Sequence, residues 1–224
     1  RKWALLLTQT LSDKKYLGEK HEVEYNIDLL RLLPGIEIPR RIRLFFPVSD
    51  IDRQTISKRL EQEGVSPDEP LIAIHPMTSD PRPWLSPKKF QSAANEVYHR
   101  RQWRTVWIGN SEETKEIDPL VTQLGQPHLN LAGELNLGEL GALLERCKLL
   151  VSMDSGPVHI AAAVGTPTVV IFGKGDNPGQ PRRWGPWGNC HELLYRTSIA
   201  ERERGYSLEE LMVSVERCLG VNCP

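Results

Sequence analysis

The chain has 224 residues, with 28 Lys plus Arg against 29 Asp plus Glu for a formal net charge of -1, and 39% hydrophobic and 25% charged residues. That balance excludes collagen-like, mucin-like and disordered chains and leaves no bulk field to draw the protein onto nucleic acid or an acidic bilayer. Asp154, Ser155 and His159 interrupt the most hydrophobic stretch, Leu149 to Phe172, so no run of about 18 apolar residues is present to cross a membrane as a helix.

Arg1 to Leu7 starts like a signal peptide, but its apolar run stops at once in Thr8, Gln9 and Thr10, which reads as an interior strand of a chain that begins mid-protein. A helix is expected from about Glu19 to Leu33, stopped by Pro34-Gly35. An extended stretch through Phe45-Phe46-Pro47 and a second helix from about Asp52 to Glu63 follow. Residues 1–65 therefore read as a connector with a remnant of another domain, and residues 66–224 as a domain of their own. From Leu71 the chain alternates β-rich runs with helical patterns, which predicts a doubly wound parallel sheet of βαβ units. The expected strands are Leu71 to His75, Arg104 to Gly109, His128 to Leu131, Lys148 to Met153, Thr168 to Phe172 and Glu192 to Tyr195. Helix starts are marked by Ser86-Pro87, by Ser111 before Glu112-Glu113, by Asn136 with Glu139, and by Ser207 with Glu210. One long loop, Gly173 to Asn189, is rich in Gly, Pro and Trp. The cysteines, Cys147, Cys190, Cys218 and Cys223, form no C-x-x-C and no zinc pattern, so reduced thiols are expected.

The run from Leu149 to Gly173 carries the most chemistry. A buried strand ends at Asp154, the chain turns through Ser155-Gly156, Pro157 opens a helix and Gly165 closes it. Ligands of open α/β sheets bind beyond the carboxyl ends of the strands. A helix start offers free amides and a positive dipole end to a phosphate. Gly156 lets an oxygen approach the backbone, and His159 lies one turn along from Ser155. The plainer reading is that Asp154 and Ser155 only cap the helix and His159 is a core histidine. A second loop on the same edge, Pro76 to Trp84, holds Thr78, Ser79 and Arg82. Two hydroxyls and a guanidinium can grip a diphosphate without metal, or form an ordinary polar turn. Trp184 and Trp187 either stack on a sugar or pack the long loop down. Asp50-Ile51-Asp52 matches a metal-binding D-x-D, yet it precedes a helix, where capping is the simpler role. A hydrolase relay from Asp154, Ser155 and His159 is cramped and lacks a G-x-S-x-G elbow. Neither a phosphate-loop G-x-x-x-x-G-K-[ST] nor G-x-G-x-x-G is present.

The run Asp154-Ser155-Gly156-Pro157-x-His159-x-Ala161-Ala162-Ala163-x-Gly165-x-Pro167, ending in Phe172-Gly173, resembles the signature of glycosyltransferase family 9, the heptosyltransferases. His75-Pro76 with Trp84, Gly109 to Glu113, Leu131-Ala132-Gly133, Pro181 to Gly188 and His21-Glu22-Val23 are similar to further family segments in the same order. The resemblance implies a GT-B fold, two Rossmann-like domains around a cleft. This chain would then be the connector and the C-terminal half, which holds the donor. It implies that Thr78, Ser79 and Arg82 contact a diphosphate, that Trp84 belongs to the same loop, that Glu113 contacts the nucleoside, and that Asp154, Ser155, Gly156 and His159 meet the phosphates or the sugar. The implied reaction is inverting, metal-independent transfer from a nucleotide-diphosphate sugar, an ADP-sugar being favoured, to a saccharide or lipid-linked acceptor of a bacterial surface glycan such as lipopolysaccharide. No cofactor and no nucleic acid are implied. The expected location is the cytoplasm, peripheral to the inner face of the membrane. The acceptor half and its general base are expected to be absent here, so the chain alone should bind donor and transfer nothing. Met77 stands where the family usually has Gly, and Arg82 where it usually has Lys, turning a point charge into a fork. The alternatives are a non-catalytic nucleotide-sugar-binding module and a GT-B-type sugar-nucleotide epimerase.

Overall fold

A computed structural model describes residues 15–78, 85–125, 127–173, 180–188, 190–196 and 205–220. In chain order a 3-10 turn at Lys15–Leu17 precedes α1 (Glu22–Leu30), α2 (Asp50–Gln62), β1 (Leu71–His75), α3 (Pro87–Arg101), β2 (Arg104–Trp107) and α4 (Thr114–Leu124). Then come β3 (Leu129–Asn130), α5 (Leu137–Arg146), β4 (Leu149–Met153), α6 (Gly156–Val164), β5 (Thr168–Ile171), α7 (Gln180–Trp184), β6 (His191–Leu194) and α8 (Leu208–Gly220). The expected strand from Arg1 to Leu7 lies outside the described residues.

The chain divides into two compact units, Arg1–Ile42 with Gly175–Gly185, and Arg43–Lys174 with Pro186–Pro224. In the smaller unit, α1 and α7 are fastened at their ends. Arg183 donates from Nε to Glu22 Oε2 at 2.9 Å, and His21 Nε2 lies 2.7 Å from the Gly185 carbonyl. The Arg183 guanidinium also covers one face of the Trp184 ring at 4.6 Å. The loop predicted from Gly173 to Asn189 thus contains a short helix. Gly and Pro in its sequence masked a turn whose anchors lie far away, on α1.

The larger unit is a six-stranded, all-parallel sheet in the order β3-β2-β1-β4-β5-β6. Side chains alternate across each strand and fill a core on each face. Ile72, Ile74, Val151 and Met153 pack on one side with Phe90 of α3 and Leu211 of α8. Leu71, Ala73, Leu150 and Val170 pack on the other with Leu143 of α5 and Val158 of α6. The doubly wound α/β fold expected from the alternation is therefore present. Gly165 closes α6 in the left-handed region, φ 86°, a conformation that costs glycine nothing.

Residues 43–49 lay Phe46 and Val48 against Gly141 of α5, where an added Cβ would come within 2.7 Å of the Phe46 ring. Behind them, α2 buries Ile56 and Leu60 and reaches α5 through a two-pronged Arg53–Glu145 pair at 2.8 and 3.0 Å. Asp52 closes a capping box with Ser49, and Asp50 pairs with Arg53, so the D-x-D triplet serves the start of α2.

Two local expectations are corrected. Helix α4 begins at Thr114 rather than after Ser111, because the Asn110 side chain accepts from the amides of Glu112 and Glu113 and holds a turn there. Ser86 and Pro87 do open α3 as expected, though the Ser86 side chain makes no cap bond. Cys190 is disulfide-bonded, while Cys147 and Cys218 are free and buried. Sequence spacing reveals metal and redox motifs but not a long-range bridge.

Candidate functional site

The strand order reverses between β1 and β4, whose carboxyl ends, His75 and Met153, open side by side with His75 opposite Ser152. Crevices form at such switch points because the helices that follow the two strands leave on opposite faces of the sheet. A cavity of about 360 Å³ occupies this one. One wall is apolar, made by Ile108, Leu135, Leu137, Leu140 and Pro157. The other carries Thr78, Asn110, Glu113, Asn136, Asp154 and Ser155 around His75 and Gly156. Leu137 is 67% exposed at the first helical position of α5, a large apolar side chain held out by the Asn136–Glu139 capping box behind it.

His75, 4% exposed, joins the turn after β4 to the start of α4. Its Nε2 lies 3.2 Å from Glu113 Oε2 and its Nδ1 lies 2.9 Å from Ser155 Oγ. Glu113 Oε2 also accepts the Asn110 amide at 2.8 Å. The carboxyl of Glu113 is held below its ordinary range, chiefly by the His75 hydrogen bond and with help from that amide, against the opposing effect of burial. Gly109 makes this approach possible. A Cβ there would meet Ile117 at 2.5 Å and Glu113 Oε2 at 3.0 Å.

Ser155 is the N-cap residue of α6, yet its side chain makes no capping bond. Its hydroxyl instead lies among Met153 O at 3.0 Å, Ser152 Oγ at 3.0 Å and His75. Pro157 has no amide, and the Val158 amide turns back to Ser155 O at 3.2 Å. Among the described residues no backbone acceptor takes the amides of Ser155 and Gly156. Two successive N–H groups at the positive end of a helix thus lie, without a described backbone acceptor, on residues that line the cavity, an arrangement suited to an anion. A Cβ on Gly156 would meet nothing within 4 Å. Thr78 donates from Oγ1 to the Asp154 carbonyl at 3.3 Å, tying the loop after β1 to the turn after β4.

Of the residues singled out in the sequence, Thr78, Glu113, Asp154, Ser155 and Gly156 line one cavity. His159 does not line it; it stands half-buried on α6. Ser79, Arg82 and Trp84 lie outside the described residues. The Ser155 hydroxyl pairs with His75, not with His159 as a relay of neighbours would require. His75 itself was legible only as part of a motif. Its signal was a histidine ending an otherwise apolar strand on the ligand edge. Asn110, Leu135 and Leu137 carried no signal, since loop asparagines and amphipathic leucines occur everywhere.

The family model of glycosyltransferase family 9 (heptosyltransferase) matches residues 1–211. The lipopolysaccharide heptosyltransferase 3 of Escherichia coli is 29% identical over 172 residues, covering 75% of this chain and 47% of that protein. The crystal structure of a family 9 glycosyl transferase from Veillonella parvula superposes with a TM-score of 0.81 at 21% identity, over 97% of this chain and 64% of that one. The E. coli heptosyltransferase WaaC with ADP gives 0.67 at 17% identity, over 96% and 61%. The chain spans about half the length of the curated relative it matches.

Proposed function

The chain belongs to glycosyltransferase family 9, and from that membership we propose that its cavity holds the nucleoside diphosphate of a sugar donor, an ADP-sugar, which the whole protein transfers to a saccharide of a bacterial surface glycan. One observation carries the reading: the amides of Ser155 and Gly156, which no described backbone acceptor takes, and a pinned Glu113 carboxylate border the same crevice, together with an apolar shelf of leucines. The shelf of Leu135, Leu137 and Leu140 suits the face of a base. Among the described residues Glu113 Oε1 bonds nothing and is available to ribose hydroxyls. The amides suit the diphosphate.

In inverting transfer an acceptor hydroxyl attacks the anomeric carbon and the nucleoside diphosphate departs with its bonding electrons. Negative charge grows on the departing oxygens, so donors aimed there act on the transition state more than on the bound donor. The helix end contributes about 0.3 to 2 kcal/mol, well below the roughly 8 to 23 kcal/mol of a typical enzyme. Orientation of the acceptor and a general base supply the remainder. The acceptor is a saccharide or lipid-linked saccharide, and a cytoplasmic position at the inner membrane face accords with it. No described helix is long and apolar enough to cross a membrane.

Isothermal titration with ADP, UDP and GDP, with and without magnesium, tests the reading. ADP is expected to bind best, without magnesium, and Asp154→Ala and Glu113→Ala to weaken it. Failure of every nucleoside diphosphate to bind overturns it.

A further inference from the structure

His75 has a place that the donor reading does not use. A carboxylate only accepts hydrogen bonds, so the 3.2 Å contact to Glu113 Oε2 requires the proton on Nε2 of the imidazole. A bare Nδ1, at 2.9 Å, then accepts the Ser155 hydroxyl in competition with the Met153 carbonyl, which also takes the Ser152 hydroxyl at 2.6 Å. Were Nδ1 protonated as well, it would donate to Ser155 Oγ, and Ser155 would then donate to Met153 O at 3.0 Å. In both arrangements the Ser155 proton stays inside the protein, and the side chain is turned away from the first turn of α6.

Like Ser86 at α3, Ser155 is an N-cap serine without a cap bond. Such a side chain ordinarily accepts from the amides of the second or third helical residue and closes the helix end. Here the backbone φ of -163° also departs from the -65 to -81° of the N-caps of α1, α2, α3 and α5, so the missing cap bond reflects both the backbone at Ser155 and the partners its side chain takes. The same imidazole pins Glu113 on the far side of the crevice, where α4 begins. Its other titratable neighbour on the cavity wall is Asp154, at the end of β4.

We propose that His75 is the positioning residue of the donor pocket: through Nδ1 it draws the Ser155 hydroxyl off the α6 N-terminus, leaving the amides open to the diphosphate, while through Nε2 it fixes Glu113 for the nucleoside. The proposal rests on the donor reading for the identity of the ligand but not for the geometry. It makes Ser155 a residue whose hydroxyl gives nothing to the ligand. Removing His75 takes away one of the three partners of that hydroxyl, beside Met153 O and Ser152 Oγ, and lets it turn toward α6 to compete with the phosphates.

Three measurements on the 224-residue chain test this. Nitrogen-15 shifts of the His75 ring in the ligand-free protein should show Nε2 protonated; a bare Nε2 overturns the proposal. ADP titration should show His75→Ala weaker than the native chain by about tenfold, the worth of one lost hydrogen bond. The double variant His75→Ala/Ser155→Ala should then recover part of that loss, because the competing cap is gone while Glu113 stays unpinned. A histidine that merely fills space would give no such recovery, and absence of recovery overturns the proposal. His75→Asn, which keeps an acceptor near the Nδ1 position, should bind ADP more tightly than His75→Ala. If the native chain binds no ADP, the donor reading falls and the ring-nitrogen measurement alone decides the case of His75.

Discussion

Among the described residues a methyl group at Gly156 would meet nothing within 4 Å, and its backbone angles do not demand a glycine. On the donor reading, the missing side chain serves the close approach of a phosphate. Gly156→Ala should therefore leave the melting temperature unchanged or slightly raised, since alanine favours a helix by up to about 1 kcal/mol, while ADP affinity drops. Calorimetry and titration on one sample check both halves. Glu113 makes a second residue-scale prediction. Its folded pKa is lowered, first by the His75 hydrogen bond, so the stability it contributes is present above the unfolded value near about 4.3 and is lost as pH falls through the folded one. Glu113→Gln should be less stable than the native chain at pH 7, with the gap closing on acidification below about pH 4 in urea titrations. Asp154, Ser155 and Gly156 were legible as residues because turn chemistry at a strand end is local, whereas Glu113 was named through the family resemblance alone. The His75–Ser155 and His75–Glu113 contacts were not, since they join positions on different elements that only the sheet brings together.

At the scale of elements, the helix starts show which signals are self-sufficient. The Asn136–Glu139 and Ser207–Glu210 pairs were read from four-residue patterns and form reciprocal bonds in the structure. Each motif lies within one turn. Asn136→Ala removes the cap of α5 and should cost about 1 kcal/mol of unfolding free energy, measured by denaturant midpoint at constant slope. It should also weaken ADP, because Asn136 and Leu137 both border the cavity. Ser111 misled because Asn110, one residue earlier, held the turn through its own side chain. The short helix α7 was hidden for a different reason. Its anchors, Glu22 and His21, stand on α1, far along the chain.

For the whole molecule, ligand binding and stability are linked. ADP at about a hundredfold excess over its dissociation constant should stabilise the sheet-bearing unit by roughly 2.7 kcal/mol, seen as a raised melting temperature; an unchanged transition under saturating ADP would contradict binding to the folded cavity. The fold class was legible because strand and helix patterns alternate over long stretches. The strand order was not, for hydrophobic pattern says which faces are buried and not which strands are neighbours. That order also governs how the chain acquires its structure. Strand β1 comes first of the six, yet it ends in the middle, with Leu71 beside Arg104 and Ile72 beside Leu149. Its second neighbour emerges from synthesis long after it does, and pairings so distant in sequence make for slow, late-committing folding. A product truncated before Leu149 would leave one side of β1 open and should collapse without cooperative structure, a target for proteolysis rather than a smaller working protein.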